Sequence, residues 1–171
     1  MGNASSDDDF DGFAVAAWPR LRRSAYLITG DHYLAEDLAQ TALARTYAHW
    51  RRIRRQDALA YSRRVLVNLN IDRMRRRRMV EVGGDAVDHA LAQRPAPAGT
   101  STEDRNLVVR LLAELTDRER RVVVLRHYFD LSEADVAGEL GIAPGTVKST
   151  LSRALAKLRV SDDSLEEAVK P

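Results

Sequence analysis

Residues 133–158 read EADVAGELGIAPGTVKSTLSRALAKL and predict two helices that cross at a short turn. Ala137 is small enough to lie at the crossing, and Gly141 can adopt the positive φ that ends the first helix. Pro144 occupies the favoured first position of the second helix, which the spacing extends to about Val160. The pattern is typical of a helix-turn-helix, whose second helix enters the major groove of duplex DNA. An ordinary antiparallel helix pair with a polar face is the alternative.

The outer face of this second helix carries donors suited to base edges and phosphates. The candidate DNA-binding residues are Thr146, Lys148, Ser149, Ser152, Arg153 and Lys157. Two capping patterns precede the motif, Thr116 with Glu119 and Ser132 with Asp135, and each predicts the start of a short helix. We expect the first of these helices to run through Val122 to Tyr128.

Helical spacing also runs through most of the N-terminal half, and no convincing alternating strand pattern is found. A first helix is predicted from Phe10 to Gly30, with a kink or a new start at Pro19. Asp31 is the predicted N-cap of a second helix, and a third helix follows Asp57. The predicted inner side chains are Leu34, Leu38, Ala42 and Tyr47 in the second helix and Tyr61, Val65, Leu69 and Met74 in the third.

Positive charge is concentrated in residues 51–78. Eleven arginines and two aspartates give this segment 11 − 2 = +9, although the whole chain carries only +2. The planar guanidinium suits phosphates and base edges, and the acids that would form i,i+4 pairs are nearly absent. We therefore expect a polyanion partner rather than an ordinary solvated helix face.

The helical pattern stops after about residue 80, where Gly83-Gly84 and a run rich in Pro, Ala, Ser and Thr predict a flexible linker. The sequence thus predicts an all-α fold of two small helical domains. The predicted organisation is a disordered acidic start (1–9), a first helical domain (10–80), a linker (81–103), a second helical domain (104–160) and a frayed acidic tail (161–171).

Composition excludes several classes of protein. The chain has no cysteine, so disulfides, thiol catalysis and thiolate zinc sites are excluded, and its four histidines lie too far apart for a ligand motif. No nucleophile with a base and no phosphate loop is visible, so we expect no enzymatic activity, metal or cofactor. No apolar run is long enough to span a membrane, and the acidic start is unlike a signal peptide. These features favour a cytoplasmic protein without membrane insertion.

Two separated blocks resemble the sigma-70 family of RNA polymerase sigma factors. The match is to the small extracytoplasmic-function (group 4) type, and within it to an actinobacterial SigE-like subgroup. AYLITGDHYLAEDLAQTALARTYAHW and AYSRRVLVNLNIDRMRRRR are similar to the promoter-melting domain 2 of that family. LTDRERRVVVLRHYFDLSEADVAGELGIAPGTVKSTLSRALAKLR is similar to its domain 4. Two blocks in the right order are more specific than either alone.

The resemblance implies a non-catalytic subunit that binds core RNA polymerase and directs it to promoters. Domain 2 would melt and capture the minus-10 element as single-stranded DNA, and domain 4 would read the minus-35 element as duplex. The implied minus-10 residues are Trp50, Tyr61, Arg63, Arg64, Asn68, Arg73, Arg75, Arg76, Arg77 and Arg78. The implied polymerase contacts are Asp31, Glu36, Asp37 and Gln40. On the polymerase they involve the clamp helices of the largest subunit, with the flap of the second-largest subunit as a further contact.

Several alternatives stay open at this point. Trp50 and Tyr61 are either stacking platforms for extruded bases or core residues, Asn68 is structural or base-facing, and an anti-sigma factor is a candidate partner that the sequence does not identify. The rival function is a helix-turn-helix regulator of the response-regulator effector type, which binds closed duplex. The arginine-rich helical N-terminal half argues against that rival.

Overall fold

The computed structural model describes residues 4–82 and 102–169, and every regular element in these two ranges is helical. The chain divides into two compact units, an N-terminal and a C-terminal one. The predicted all-α class with two helical units is therefore confirmed. Residues 83–101, which make up most of the predicted linker, lie outside the described residues.

Three helices form the described part of the N-terminal unit, residues 4–82. They are α1 (Ala4–Thr29), α2 (His32–Ala48) and α3 (Ala58–Val82), and two 3₁₀ turns, Trp50–Arg52 and Arg55–Asp57, join the last two. All three helices pack against one another. The core combines fully buried alanines with larger side chains: Leu21, Ala25, Ala35, Ala39, Ala42, Leu66 and Val67. The small alanines allow the helix backbones to approach closely, so the leucines fill the remaining space.

α1 begins earlier than the sequence predicted. Residues 4–9 are helical, so the prediction of a disordered start is wrong for them. Two contacts hold this part of the helix: Asp9 forms an ion pair with Arg55 at 3.6 Å, and the Tyr47 hydroxyl donates to Asp7 at 3.1 Å. Acidic residues in a first turn also suit the helix dipole. The helix continues through Pro19 without a new start and ends at Thr29, just before Gly30, whose φ is +71°.

The predicted inner faces of α2 and α3 are partly wrong. Tyr47 is exposed, whereas its neighbour Thr46 is fully buried and its hydroxyl lies 2.8 Å from that of Ser62. On α3 the buried positions are 58, 62, 63, 66, 67 and 70, whereas the predicted Tyr61, Val65, Leu69 and Met74 are only half-buried. Thr46 and Ser62 are buried at low cost, because their hydroxyls bond to each other and to the carbonyls of Ala42 and Ala58.

Within residues 102–169 the C-terminal unit has four helices and one π turn. They are α4 (Thr102–Ala113), α5 (Asp117–Val123), a π turn (Val124–Tyr128), α6 (Glu133–Leu140) and α7 (Pro144–Val169). Both predicted caps are confirmed, since Thr116 Oγ1 accepts from Glu119 N and Ser132 Oγ accepts from Asp135 N. Arg120 provides a hydrogen-bond donor for the last turn of α4, because its guanidinium donates to the carbonyl of Leu112 at 2.8 Å.

Two boundaries differ from the prediction in this unit. The α-helix expected to reach Tyr128 changes to a wider π turn at Val124. α7 continues to Val169 rather than ending near Val160, so residues 161–169, expected to be frayed, extend this helix. The reason is local, because no glycine or proline interrupts the sequence before Pro171. None of the described helices combines the length and apolar character needed to cross a membrane.

Candidate nucleic-acid and polymerase interfaces

The helix-turn-helix forms as predicted. Gly141 ends α6 with φ of +63°, and the Ile142 N–H donates to the Ala137 carbonyl at 3.1 Å. Ala137, Val136 and Val147 are buried where α6 meets α7. This packing fixes the start of α7 and leaves its opposite side exposed to solvent.

The exposed side of α7 carries a row of hydrogen-bond donors, which we call the reading face: Lys148, Ser149, Ser152 and Arg153. These positions recur at one and four residues and so lie on one side of the helix. Thr146 is half-buried and accepts a hydrogen bond at its carbonyl from the Ser149 hydroxyl at 3.1 Å. The row therefore presents cationic and hydroxyl groups of the kind that base edges and phosphates bind.

Lys157 does not join the reading face. Its ammonium group donates to both carboxylate oxygens of Glu119, at 2.9 and 2.8 Å. The position of that carboxylate is fixed, because the Glu119 side chain is only 9% exposed and forms the capping box of α5 with Thr116. The predicted phosphate contact of Lys157 would have to compete with this ion pair.

The predicted arginines lie on α3, and the C-terminal part of this helix extends past the core of the N-terminal unit. Every residue from Arg75 to Val80 is exposed, and so is Arg73. We call Arg73, Arg75, Arg76, Arg77 and Arg78 the arginine segment. Arg64 and Asn68 are exposed one turn apart, on the same side of α3 as Arg75. Asn68 is therefore not part of the core of the N-terminal unit.

Two of the predicted minus-10 residues lie elsewhere. Arg63 is only 8% exposed, because it shares the buried side of α3 with Leu66, Val67 and Asn70. Sequence reasoning placed it outward because arginine is rarely buried. Its place in the core removes it from the exposed cationic surface.

Trp50 is also a core residue. It is 2% exposed, and the rings of Phe10 and Phe13 each lie 5.1 Å from its ring. The Arg55 guanidinium covers it at 3.9 Å from the ring centre, and Arg55 also donates to the Trp50 carbonyl at 3.0 Å. The structure thus favours the core alternative for Trp50. Tyr61 is half-buried, with its ring 6.0 Å from that of His49.

Exposed arginines missed by the residue-level prediction lie on the first 3₁₀ turn before α3 and in the short stretch between the two turns. Arg51, Arg52 and Arg54 are all exposed. These arginines contribute to the net charge of +9 of residues 51–78. That charge was the sequence signal that could have identified them. They extend the cationic surface of the N-terminal unit beyond the arginine segment.

The predicted polymerase contacts lie on α2. Asp31 is its N-cap, with Oδ1 accepting from Tyr33 N at 2.9 Å and Leu34 N at 3.0 Å. Glu36 forms an exposed ion pair with Arg22 at 3.4 Å, and Asp37 and Gln40 are exposed. Two of these carboxylates thus have partners within the fold, Asp31 as a cap and Glu36 in an ion pair with α1, while Asp37 and Gln40 face outward.

Tyr33 is a residue of this surface that the sequence reasoning missed. Its side chain is 62% exposed, and it precedes Asp37 by one turn and Gln40 by two. Tyr33 lies four positions before Asp37, so the two side chains share one side of a helix, and this spacing could have identified Tyr33 from the sequence. We call Tyr33, Glu36, Asp37 and Gln40 the α2 surface.

These features define a two-unit helical protein in which each unit carries exposed cationic side chains. Residues 15–79 match the family model for sigma-70 region 2, and residues 105–158 match that for sigma-70 region 4. The chain is 40% identical over 155 residues to the RNA polymerase sigma-E factor of Streptomyces coelicolor, covering 88% of this chain and 84% of the relative. It is 34% identical over 155 residues to the ECF RNA polymerase sigma factor SigL of Mycobacterium tuberculosis, covering 89% and 85%.

A solved structure is similar as well. It is the co-crystal structure of the sigma factor RpoE in complex with the anti-sigma factor NepR from Bartonella quintana, with a TM-score of 0.67 and 28% identity. The similarity covers 88% of this chain and 94% of that one.

The chain belongs to the sigma-70 family of RNA polymerase sigma factors, and its similar relatives include factors named as sigma-E and as ECF sigma factors. It is a transcription initiation factor that binds core RNA polymerase and promoter DNA. The resemblance inferred from the sequence is confirmed. The response-regulator alternative is not favoured, because the N-terminal unit matches region 2 of the same family.

Proposed function

We propose that the three surfaces divide the work of initiation: the α2 surface docks on core polymerase, the arginine segment holds the melted minus-10 strand, and the reading face contacts the minus-35 duplex. The observation that carries this proposal is the arginine segment, a run of cationic side chains on a helix that leaves the core. A solvated helix that served no anion would be expected to interleave acids with these arginines.

Melting requires a surface that compensates for lost stacking. Opening a duplex costs about 1.4 kcal/mol per base-pair step, and stacking a base on an aromatic ring returns about 1–3 kcal/mol. Trp50 is buried, so the strand depends mainly on arginine–phosphate contacts, with half-buried Tyr61 as the candidate stacking residue. Such contacts position the strand, whereas exposed Asn68 is suited to a base edge.

The reading face suits duplex recognition. Lys148 and Arg153 are cationic donors, and a bidentate pair with a base contributes about 1–3 kcal/mol of discrimination. Ser149 and Ser152 lie beside them and supply hydroxyls. This arrangement supports minus-35 recognition by α7.

The α2 surface suits a basic partner. Its exposed carboxylates contribute orientation and a fast encounter, and Tyr33 supplies the kind of aromatic group that carries binding energy at interfaces. We assign this surface to the clamp helices of the largest polymerase subunit. The flap of the second-largest subunit is the candidate contact of the C-terminal unit.

The cellular location follows from the partners of the protein, RNA polymerase and promoter DNA. A protein that works on polymerase and promoter DNA acts in the cytoplasm. An anti-sigma factor is a candidate regulator, since the similar RpoE is bound to one in its solved structure.

The test is reconstitution with core polymerase and a promoter library, with thymines probed for single-strand reactivity. We expect reactive thymines near the start site only when this protein and polymerase are both present. Replacement of Arg75, Arg76, Arg77 and Arg78 by Ala should preserve polymerase binding and abolish the reactivity. The matched control replaces Arg110 and Arg118, two exposed arginines of the C-terminal unit, by Ala. Reactivity retained in the quadruple variant, or footprints on closed duplex without polymerase, would contradict the proposal.

A further inference from the structure

Glu119 and Lys157 connect two helices of the C-terminal unit. Glu119 lies in the first turn of α5, and Lys157 lies on α7, one turn beyond Arg153 of the reading face. The two side chains are 38 positions apart in sequence, and their two hydrogen bonds are 2.8 and 2.9 Å long. Hydrogen bonds between ionised groups are short and strong, so this contact constrains where α7 lies against α5.

The Glu119 carboxylate is itself fixed in place. Its Oε2 accepts from Thr116 N at 2.9 Å and from the Thr116 hydroxyl at 3.0 Å, which completes the capping box of α5. The side chain is almost wholly buried, whereas that of Lys157 is about half exposed. A carboxylate held by a cap and shielded from water offers the lysine a rigid partner.

We propose that Glu119 is a positioning residue for promoter reading, which holds Lys157 and thereby fixes the orientation of the reading face of α7. This inference rests on the proposed role of α7. The α6 crossing fixes α7 before the reading face, and the Glu119–Lys157 pair fixes it one turn after. With both ends held, the helix cannot rotate or slide without breaking buried contacts, so Ser149 and Arg153 meet the groove in one register.

The rival role of Lys157 is a direct phosphate contact. The two roles predict opposite results for Glu119→Gln. If Glu119 positions α7, loss of its charge weakens minus-35 recognition. If Lys157 contacts phosphate, the same substitution frees its ammonium group and leaves DNA affinity unchanged or raises it.

The experiment uses holoenzyme assembled from the full chain and core polymerase. The probes are a promoter recovered from the library and the same promoter with a scrambled minus-35 element. We expect Glu119→Gln and Lys157→Met each to reduce the preference for the intact element by about tenfold, and the double variant to lose no more than either single one. The salt dependence of binding should not change, because no phosphate contact is removed.

Three results would overturn the inference. They are a salt slope reduced by about one in Lys157→Met, a preference unchanged by Glu119→Gln, or single-variant effects that simply add. Lys157→Arg keeps the ion pair and should restore the preference, which a merely unfolded domain would not do. Should Glu119→Gln fail to fold, the comparison of Lys157→Met with Lys157→Arg carries the test.

Failure of the proposed function has a different signature. In that case the unmodified protein itself would not distinguish the intact minus-35 element from the scrambled one. The variants then could not lose a preference that was never present.

Discussion

Arg63 and Arg64 are adjacent in sequence and lie in opposite environments. Arg63 is buried on the side of α3 that packs against the other helices, and Arg64 is exposed on the opposite side. A residue type therefore does not fix a role, because the 100° step between neighbouring helix positions can separate core from solvent. The same contrast distinguishes Thr46 from Tyr47 on α2.

This pair gives a matched test at the residue scale. Arg63→Ala should lower the free energy of unfolding by about 2 kcal/mol, because it removes buried packing and leaves its partners unsatisfied. Arg64→Ala should change stability by less than about 0.5 kcal/mol and reduce the salt slope of promoter binding by about one. Denaturant unfolding and salt titration of the two variants check both statements. Equal effects in the two variants would show that burial does not separate their roles.

The lowered pKa of Glu119 makes the stability of the fold depend on pH, and this is also an effect of a single residue. The hydrogen bond from Lys157, aided by those from Thr116, holds the pKa of Glu119 below its ordinary value, although burial opposes this. A carboxyl group with a lowered folded pKa contributes stability above the unfolded pKa, about 4.3, and loses it as the pH falls through the folded pKa. We expect Glu119→Gln to flatten the loss of stability below about pH 4.3, measured by denaturant unfolding at several pH values. An unchanged acid slope would contradict this.

At the scale of elements, α2 combines a structural start with an exposed interaction surface. Asp31 caps the helix through two backbone N–H groups, and this cap fixes the backbone at Tyr33. The first turn is therefore ordered before any partner binds, which lowers the entropy cost of docking. The inner side of the same helix is lined with alanines, so its position in the bundle is set by close packing.

The α2 surface is testable by single substitutions. Tyr33→Ala should weaken binding to core polymerase by about tenfold or more, and Tyr33→Phe should keep most of the affinity. Asp37→Lys should slow association, most clearly at low salt, because it reverses a charge at the interface. Val15→Ala, at an exposed position of α1, is the control and should have no effect. Unchanged binding of Tyr33→Ala to labelled core polymerase would remove this surface from the interface.

At the scale of the whole molecule, the end of α3 and the start of α4 set the length of chain that connects the two units. α3 ends at Val82 and α4 begins at Thr102, which leaves 101 − 83 + 1 = 19 residues between them. Nineteen residues span at most roughly 65 Å when fully extended. The resemblance to the sigma-70 family implies two promoter elements about one and a half to two duplex turns apart, or roughly 50–70 Å. The connection therefore has little spare length.

A comparison of two linker variants follows from this limit. Scrambling residues 83–101 at constant composition should leave initiation intact, because length and charge are unchanged. Deleting about five of these residues removes roughly 17 Å of reach and should abolish dependence on the minus-35 element. Transcription from promoters with intact and scrambled minus-35 elements measures both effects. Loss of activity on scrambling would mean that specific linker residues matter.

The sequence by itself determined the helical class, the two units, the caps at Thr116, Ser132 and Asp31, and the family. Each of these depends on local signals, since capping chemistry, a glycine at positive φ and helical spacing act within a few residues. Only the tertiary structure decided which side of α3 is buried, that Trp50 lies in the core, and that Lys157 binds Glu119. These outcomes depend on contacts between residues far apart in the chain, which no local pattern encodes.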